Sequence, residues 1–128
     1  MSKYLIDTDV LIEILRGKQK VISYVETLHR KGKAIFYSPI TKAEVFHGIR
    51  EGEESAVNML FQSMECIPIT DETGKKAGLY LKKYHRSHNL QLGDSLVAAT
   101  AFTGSATLLS FNHKHYPMKD IKVIAPTV

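Results

Sequence analysis

Tyr4-Leu5-Ile6-Asp7-Thr8-Asp9-Val10-Leu11-Ile12-Glu13-Ile14-Leu15 changes its period halfway along. Tyr4-Leu5-Ile6 is a short unbroken apolar run, the pattern of a strand buried on both faces. Thr8-Asp9 then opens a segment in which Leu11, Ile14 and Leu15 return at helical spacing. A buried strand running straight into a helix, with acids at the junction, is the unit from which the rest of the chain is read.

The same alternation continues downstream. Apolar runs recur at Ala34-Ile35-Phe36-Tyr37, Cys66-Ile67-Pro68-Ile69, Thr107-Leu108-Leu109 and Val123-Ile124. Between them, Val21, Val25 and Leu28 mark one helix, and Val57, Leu60, Phe61 and Met64 mark another. Ala77, Tyr80, Leu81 and Tyr84 predict a third, and Val97, Ala98, Ala101 and Phe102 a fourth. Hairpin signals are few, so the connections are crossovers and the sheet is parallel, with both faces covered by helices. No repeat, low-complexity tract or linker interrupts the pattern, which predicts one α/β domain over residues 1–128. In such sheets ligands bind beyond the carboxyl ends of the strands.

Composition narrows the class. Forty-four per cent apolar and 23% charged residues are the proportions of a soluble globular protein. The single cysteine, Cys66, excludes an internal disulfide and a cysteine-based zinc cluster. Within its apolar run it reads as a small buried hydrophobe. Asp7 and Asp9 stand where a signal peptide needs its apolar stretch, and no segment approaches a membrane span, so a reducing cytoplasm is the expected location. The formal net charge of +4 suits an anionic partner such as nucleic acid, although many proteins of this charge bind none. The cations gather in two neighbourhoods: Arg16, Lys18, Lys20, Arg30, Lys31 and Lys33, and Lys82, Lys83, His85, Arg86 and His88. Either is read as a solvated helix face or as a surface that tracks phosphates.

Three acids fall at the predicted ligand edge. Asp7 directly follows the first strand, while Thr8 or Asp9 is the expected helix cap. Glu44 sits in Thr41-Lys42-Ala43-Glu44, which has the form of a capping box, but at the start of the helix after the second strand. Asp94 could cap the helix it begins, and it also shares a face with Val97 and Ala98. Three carboxylates within 4–5 Å of one another would each repel by roughly 3–4 kcal/mol at an effective dielectric near 20. Such a cluster protonates in part or holds a cation. Oxygen donors suit Mg²⁺ or Mn²⁺, which keep waters for a phosphate oxygen and an attacking water.

Four segments carry a resemblance. Tyr4 to Ile12, Thr41-Lys42-Ala43-Glu44-Val45-Phe46-His47-Gly48, Leu92-Gly93-Asp94-Ser95-Leu96-Val97-Ala98-Ala99 and Leu108-Leu109-Ser110-Phe111-Asn112-His113-Lys114-His115-Tyr116 fall in the order and spacing of PIN domains. More narrowly the chain resembles the VapC-type toxins of toxin–antitoxin pairs, over essentially its whole length. The resemblance implies a three-layer α/β/α sandwich with a central parallel sheet of about five strands. It implies endonucleolytic cleavage of RNA with Mg²⁺ or Mn²⁺, a homodimer and a cognate antitoxin. Asp7, Glu44 and Asp94 match the first three acids of the family and are the expected catalytic and metal-binding residues. Thr8, Asp9, Ser110, Asn112 and His115 are expected to support them. The chain departs from the family in its last motif, where Asn112 and His115-Tyr116 stand and many members have a fourth acid. An amide offers one oxygen and no charge, so one well-held ion is expected.

Two other readings have the same length and alternation. A phosphate-accepting receiver domain would need a phosphoacceptor aspartate after its third strand and a lysine after its fifth. Here the corresponding stretches read Thr70-Asp71 and Ala125-Pro126. A PIN-like protein that binds RNA or a partner without cutting is the other.

Overall fold

A computed structural model describes residues 2–127. Its elements are β1 (Lys3–Ile6), α1 (Thr8–Leu15), α2 (Gln19–Arg30), β2 (Ala34–Tyr37), α3 (Pro39–His47), α4 (Glu54–Gln62), β3 (Glu65–Cys66), α5 (Asp71–His88), α6 (Leu92–Thr103), β4 (Thr107–Leu109) and β5 (Val123–Ile124). A single 3₁₀ turn, His113–His115, lies between the last two strands.

The five strands form one parallel sheet in the order β3-β2-β1-β4-β5. Alternate residues serve opposite layers, as the pleat requires. Leu5, Phe36, Leu108 and Val123 lie in register with one another and pack under α5 and α6 with Ala77, Tyr80, Val97 and Ala98. Ile6, Ile35 and Tyr37 face the other way, among Val10 and Leu11 of α1, Val21 of α2, Val45 of α3, and Val57 and Phe61 of α4. The three-layer sandwich and its parallel sheet agree with the sequence reading. β1 is the middle strand, and Leu5 and Ile6 are both fully buried. That explains why its run is apolar without alternation.

The helix ends follow local chemistry. Ser38 caps α3, its hydroxyl accepting from the Thr41 N–H, with Pro39 in the first turn where a missing N–H costs nothing. Thr70 and Thr73 form a reciprocal capping box at α5. Gly17 and Gly32, with φ of +75° and +76°, carry the chain out of α1 and α2 in the left-handed region.

Three expectations need correction. The run Cys66 to Ile69 is a strand only at Glu65–Cys66, because Pro68 has no N–H for a ladder. β3 is an edge strand of two residues, so Cys66 is exposed and not a buried hydrophobe. The Thr41-x-x-Glu44 capping box does not form. α3 starts three residues earlier, at the stronger Ser38-Pro39 signal, and Glu44 is an interior helical residue. Among the described residues, no helix is long and apolar enough to cross a membrane.

Candidate active site

The chain leaves β1 for α1 toward one side of the sheet, and leaves β4 toward β5 on the other. The crevice between the carboxyl ends of β1 and β4 is therefore the point where the strand order reverses, the usual ligand site of open parallel sheets. Asp7 stands there. Its N–H continues the ladder to the Leu109 carbonyl at 2.9 Å, which fixes the backbone beside Ser110.

Asp7, not Thr8 or Asp9, is the N-cap of α1. Its Oδ1 accepts from the Thr8 N–H at 2.9 Å. Capping occupies only that oxygen. Oδ2 accepts from the hydroxyls of Ser110 and Tyr116, each at 2.8 Å. The residue is 6% exposed, and a buried carboxylate with three donors is held in one orientation.

Asp9 does different work. Its two oxygens accept from the N–H groups of Val10 at 2.8 Å and Phe111 at 2.9 Å, so it ties the loop after β4 to α1. Burial, then the charge of Asp7, pushes its carboxyl up to about 6 against the pull of those N–H groups.

Glu44 reaches the pocket from α3, where the Thr8 hydroxyl donates to its Oε1 at 2.5 Å. Its Oε2 lies beside Gly93, 3.8 Å from where a β-carbon would stand. Asp94 arrives from α6. That helix begins at Leu92 with Gln91 as its cap, so Asp94 lies in the first turn and is not the cap. Its Oδ2 is 3.4 Å from His115 Nδ1. Burial raises the Asp94 carboxyl above its ordinary value, and Asp7 and Glu44 raise it further. His115 and the Tyr116 hydroxyl act in the opposite direction. The three acids thus share one field.

The loop after β4 completes the pocket. The Asn112 side chain is exposed, and it is the Asn112 N–H that bonds Ser110 Oγ, at 3.0 Å. Sequence reasoning missed Tyr116, which is buried with its hydroxyl between Asp7 and Asp94. Burial and the Asp7 charge raise its pKa, so it stays a neutral donor. A tyrosine between a polar loop and Pro117-Met118 has the apolar body and polar tip of a buried hydrogen-bonding aromatic, the one signal available.

The donors fit a hard divalent cation. They are carboxylate and hydroxyl oxygens, and no lysine or arginine is fixed against them among the described residues. Nor, among those residues, do three His, Cys, Asp or Glu side chains form a ready-made cage. Mg²⁺ commonly uses one or two carboxylates and keeps its other waters, so no cage is required.

The PIN domain family model matches residues 4–121. The chain is 36% identical over 115 residues to Ribonuclease VapC10 of Mycobacterium tuberculosis H37Rv, covering 89% of this chain and 86% of that one. It is 31% identical to Ribonuclease VapC19 of the same strain, covering 89% and 92%. Among solved structures, DNA-bound VapBC from Salmonella typhimurium superposes with a TM-score of 0.83 at 16% identity, over 98% of this chain and 99% of that one. VapBC2 from Rickettsia felis, bound to a promoter DNA fragment, gives 0.79 at 19% identity, over 96% and 98%.

Proposed function

The chain belongs to the PIN-domain family, and from that premise we infer that it is a ribonuclease of the VapC type, cleaving RNA at the crevice between β1 and β4. The observation that supports the reading is that Asp7, at the strand-order reversal, and Glu44, from α3, both act on the Asp94 carboxyl.

Asp7 and Asp94 would hold one Mg²⁺ or Mn²⁺. When bound, that ion supplies an acidified water and a counter-charge for the phosphate. The chain's own groups do the remaining work. Ser110 and Tyr116 orient the Asp7 carboxylate through Oδ2. The Thr8 hydroxyl turns Glu44 by binding Oε1, which leaves Oε2 to take the proton of the attacking water. Asp9 holds the loop that carries Ser110 and Tyr116. The loop adds an imidazole and a phenol to the pocket but no acid, which supports one resident ion over two.

The partners we propose are RNA as substrate, a cognate antitoxin, and a second copy of the chain. The antitoxin rests on likeness to toxin–antitoxin complexes such as that of Klebsiella pneumoniae, with a TM-score of 0.75. Purified protein incubated with total RNA and Mn²⁺ tests the activity. Wild type is expected to cleave, and Asp7→Asn and Asp94→Asn to lose all but a small fraction of the rate. Equal cleavage by all three, or none by wild type, would overturn the reading.

A further inference from the structure

Away from the acids, α5 and the chain after Tyr116 enclose a cavity of about 220 Å³. Lys76, Lys83 and Lys119 line it with Tyr80 and Tyr84, the Lys76 ammonium over the Tyr80 ring and that of Lys83 over Tyr84. Asp120 neutralises Lys76 at 2.7 Å and accepts from the Tyr80 hydroxyl at 2.7 Å, so one wall is rigid. Lys83 and Lys119 are exposed, and neither has a carboxylate within 4.0 Å among the described residues. Lys83 Nζ stands 5.4 Å from the centroid of the half-buried Tyr84 ring.

The cavity is joined to the catalytic pocket. One strap of chain bonds Asp7 through the Tyr116 hydroxyl at one end, and Tyr80 and Lys76 through Asp120 at the other. His115, beside Asp94, is four residues from Lys119, a reach of at most about 14 Å.

We propose that this cavity is a subsite for a nucleotide of the RNA strand flanking the scissile phosphate, with Lys83 and Lys119 on its phosphates and a base against Tyr84. The proposal rests on the ribonuclease reading. Three observations favour a strand over a free anion or an acidic protein. The cavity is smaller than the roughly 300–1,000 Å³ of sites that capture whole small molecules, which suits one unit of a polymer anchored elsewhere. Two uncompensated ammonium groups flank an aromatic face, the combination that binds single strands without regard to sequence. The strap keeps the cavity within a short run of the cleft.

The test uses the full chain carrying Asp94→Asn, so that RNA stays intact, and fluorescence anisotropy with a labelled oligoribonucleotide longer than the cleft. Lys83→Ala with Lys119→Ala is expected to weaken binding at least about fivefold. It should also flatten the salt dependence, log K against log salt, by about 1.4, the share of two phosphates on a single strand. Lys3→Ala with Lys122→Ala, the same charge change at the amino-terminal ends of β1 and β5, is the control and should leave both nearly unchanged. Tyr84→Leu should weaken binding by about fivefold or more through lost stacking.

If wild type cleaves RNA but the Lys83/Lys119 pair binds as tightly and as salt-dependently as its parent, the subsite is wrong and the ribonuclease reading stands. An equal loss in the Lys3/Lys122 control overturns it too, since net charge then explains the effect. Loss of polyglutamate binding without loss of RNA binding assigns the face to an acidic partner and overturns it. If wild type neither cleaves nor binds RNA, both readings fall.

Discussion

Tyr116→Phe isolates one hydroxyl on the most buried acid of the site. The ring remains and still fills its place beside Met118, so packing is nearly unchanged. What disappears is one of the two hydroxyl donors to Asp7 Oδ2, at 2.8 Å, in a residue 6% exposed. A hydrogen bond to a charged acceptor is worth about 1.5–3 kcal/mol. The expected loss of stability without metal is therefore about 1.5–3 kcal/mol, or a fall of about 5–12 °C in Tm for a chain this size. The same hydroxyl aims Asp7, so half-maximal RNA cleavage should need about 10–100-fold more Mn²⁺. Differential scanning calorimetry and Mn²⁺ titrations of the cleavage rate measure the two effects. Ser110→Ala removes the other hydroxyl donor, and the two substitutions should be non-additive by about 0.5–3 kcal/mol. An unchanged Tm with an unchanged Mn²⁺ requirement would refute the reasoning, because the hydroxyl would then have no hold on Asp7.

Thr8→Val keeps the shape of the side chain but deletes the donor to Glu44, so kcat on RNA should fall about tenfold, near the low end for a charged hydrogen bond. Thr8→Ser should restore most of it. Gly104→Ala puts a β-carbon 2.8 Å from Ile67 Cδ1 and 3.0 Å from the Thr100 carbonyl. It should cost about 1–3 kcal/mol by urea denaturation, and adding Ile67→Val should recover part, since that change removes the nearer atom. Asp120 gives a pH signature. Burial raises its carboxyl, but Lys76 and the Tyr80 hydroxyl outweigh burial and hold it below the usual value. A group lowered on folding stabilises above its unfolded value, and that contribution is lost as pH falls through the folded value. Asp120→Asn should therefore lower Tm at neutral pH, and the gap from wild type should close as both are taken below the ordinary carboxylate range. A gap that persists in acid would mean that Asp120 acts through packing and not through its charge.

The sheet and the positions of its acids were legible because both depend on local periods. Tyr4-Leu5-Ile6 and Thr107-Leu108-Leu109 each read as a buried strand, and each is one, which placed Asp7 and Ser110 at adjacent strand ends. Glu44 shows how a local pattern misleads. Thr41 and Glu44 have capping-box spacing, but Ser38-Pro39 upstream starts the helix, and the caps compete for one N-terminus. Cys66 was misread for another reason. An apolar run signals burial, yet whether a strand lies inside a sheet or at its edge depends on the order of all five strands.

The loop after β4 marks where local reading ends. Nothing near Tyr116 in sequence announces that its hydroxyl will meet a carboxylate 109 residues away. Around Asn112, where many family members carry a fourth acid, the loop supplies the Asn112 N–H to Ser110, His115 to Asp94 and Tyr116 to Asp7. Each of these groups lowers the cost of gathering carboxylates without adding one. A site built this way tolerates its acids before any cation arrives. The loop itself, Ser110 to Tyr116, contributes no carboxylate. Asp9 secures the same loop from the other side, since its two oxygens accept the N–H groups of Val10 and Phe111.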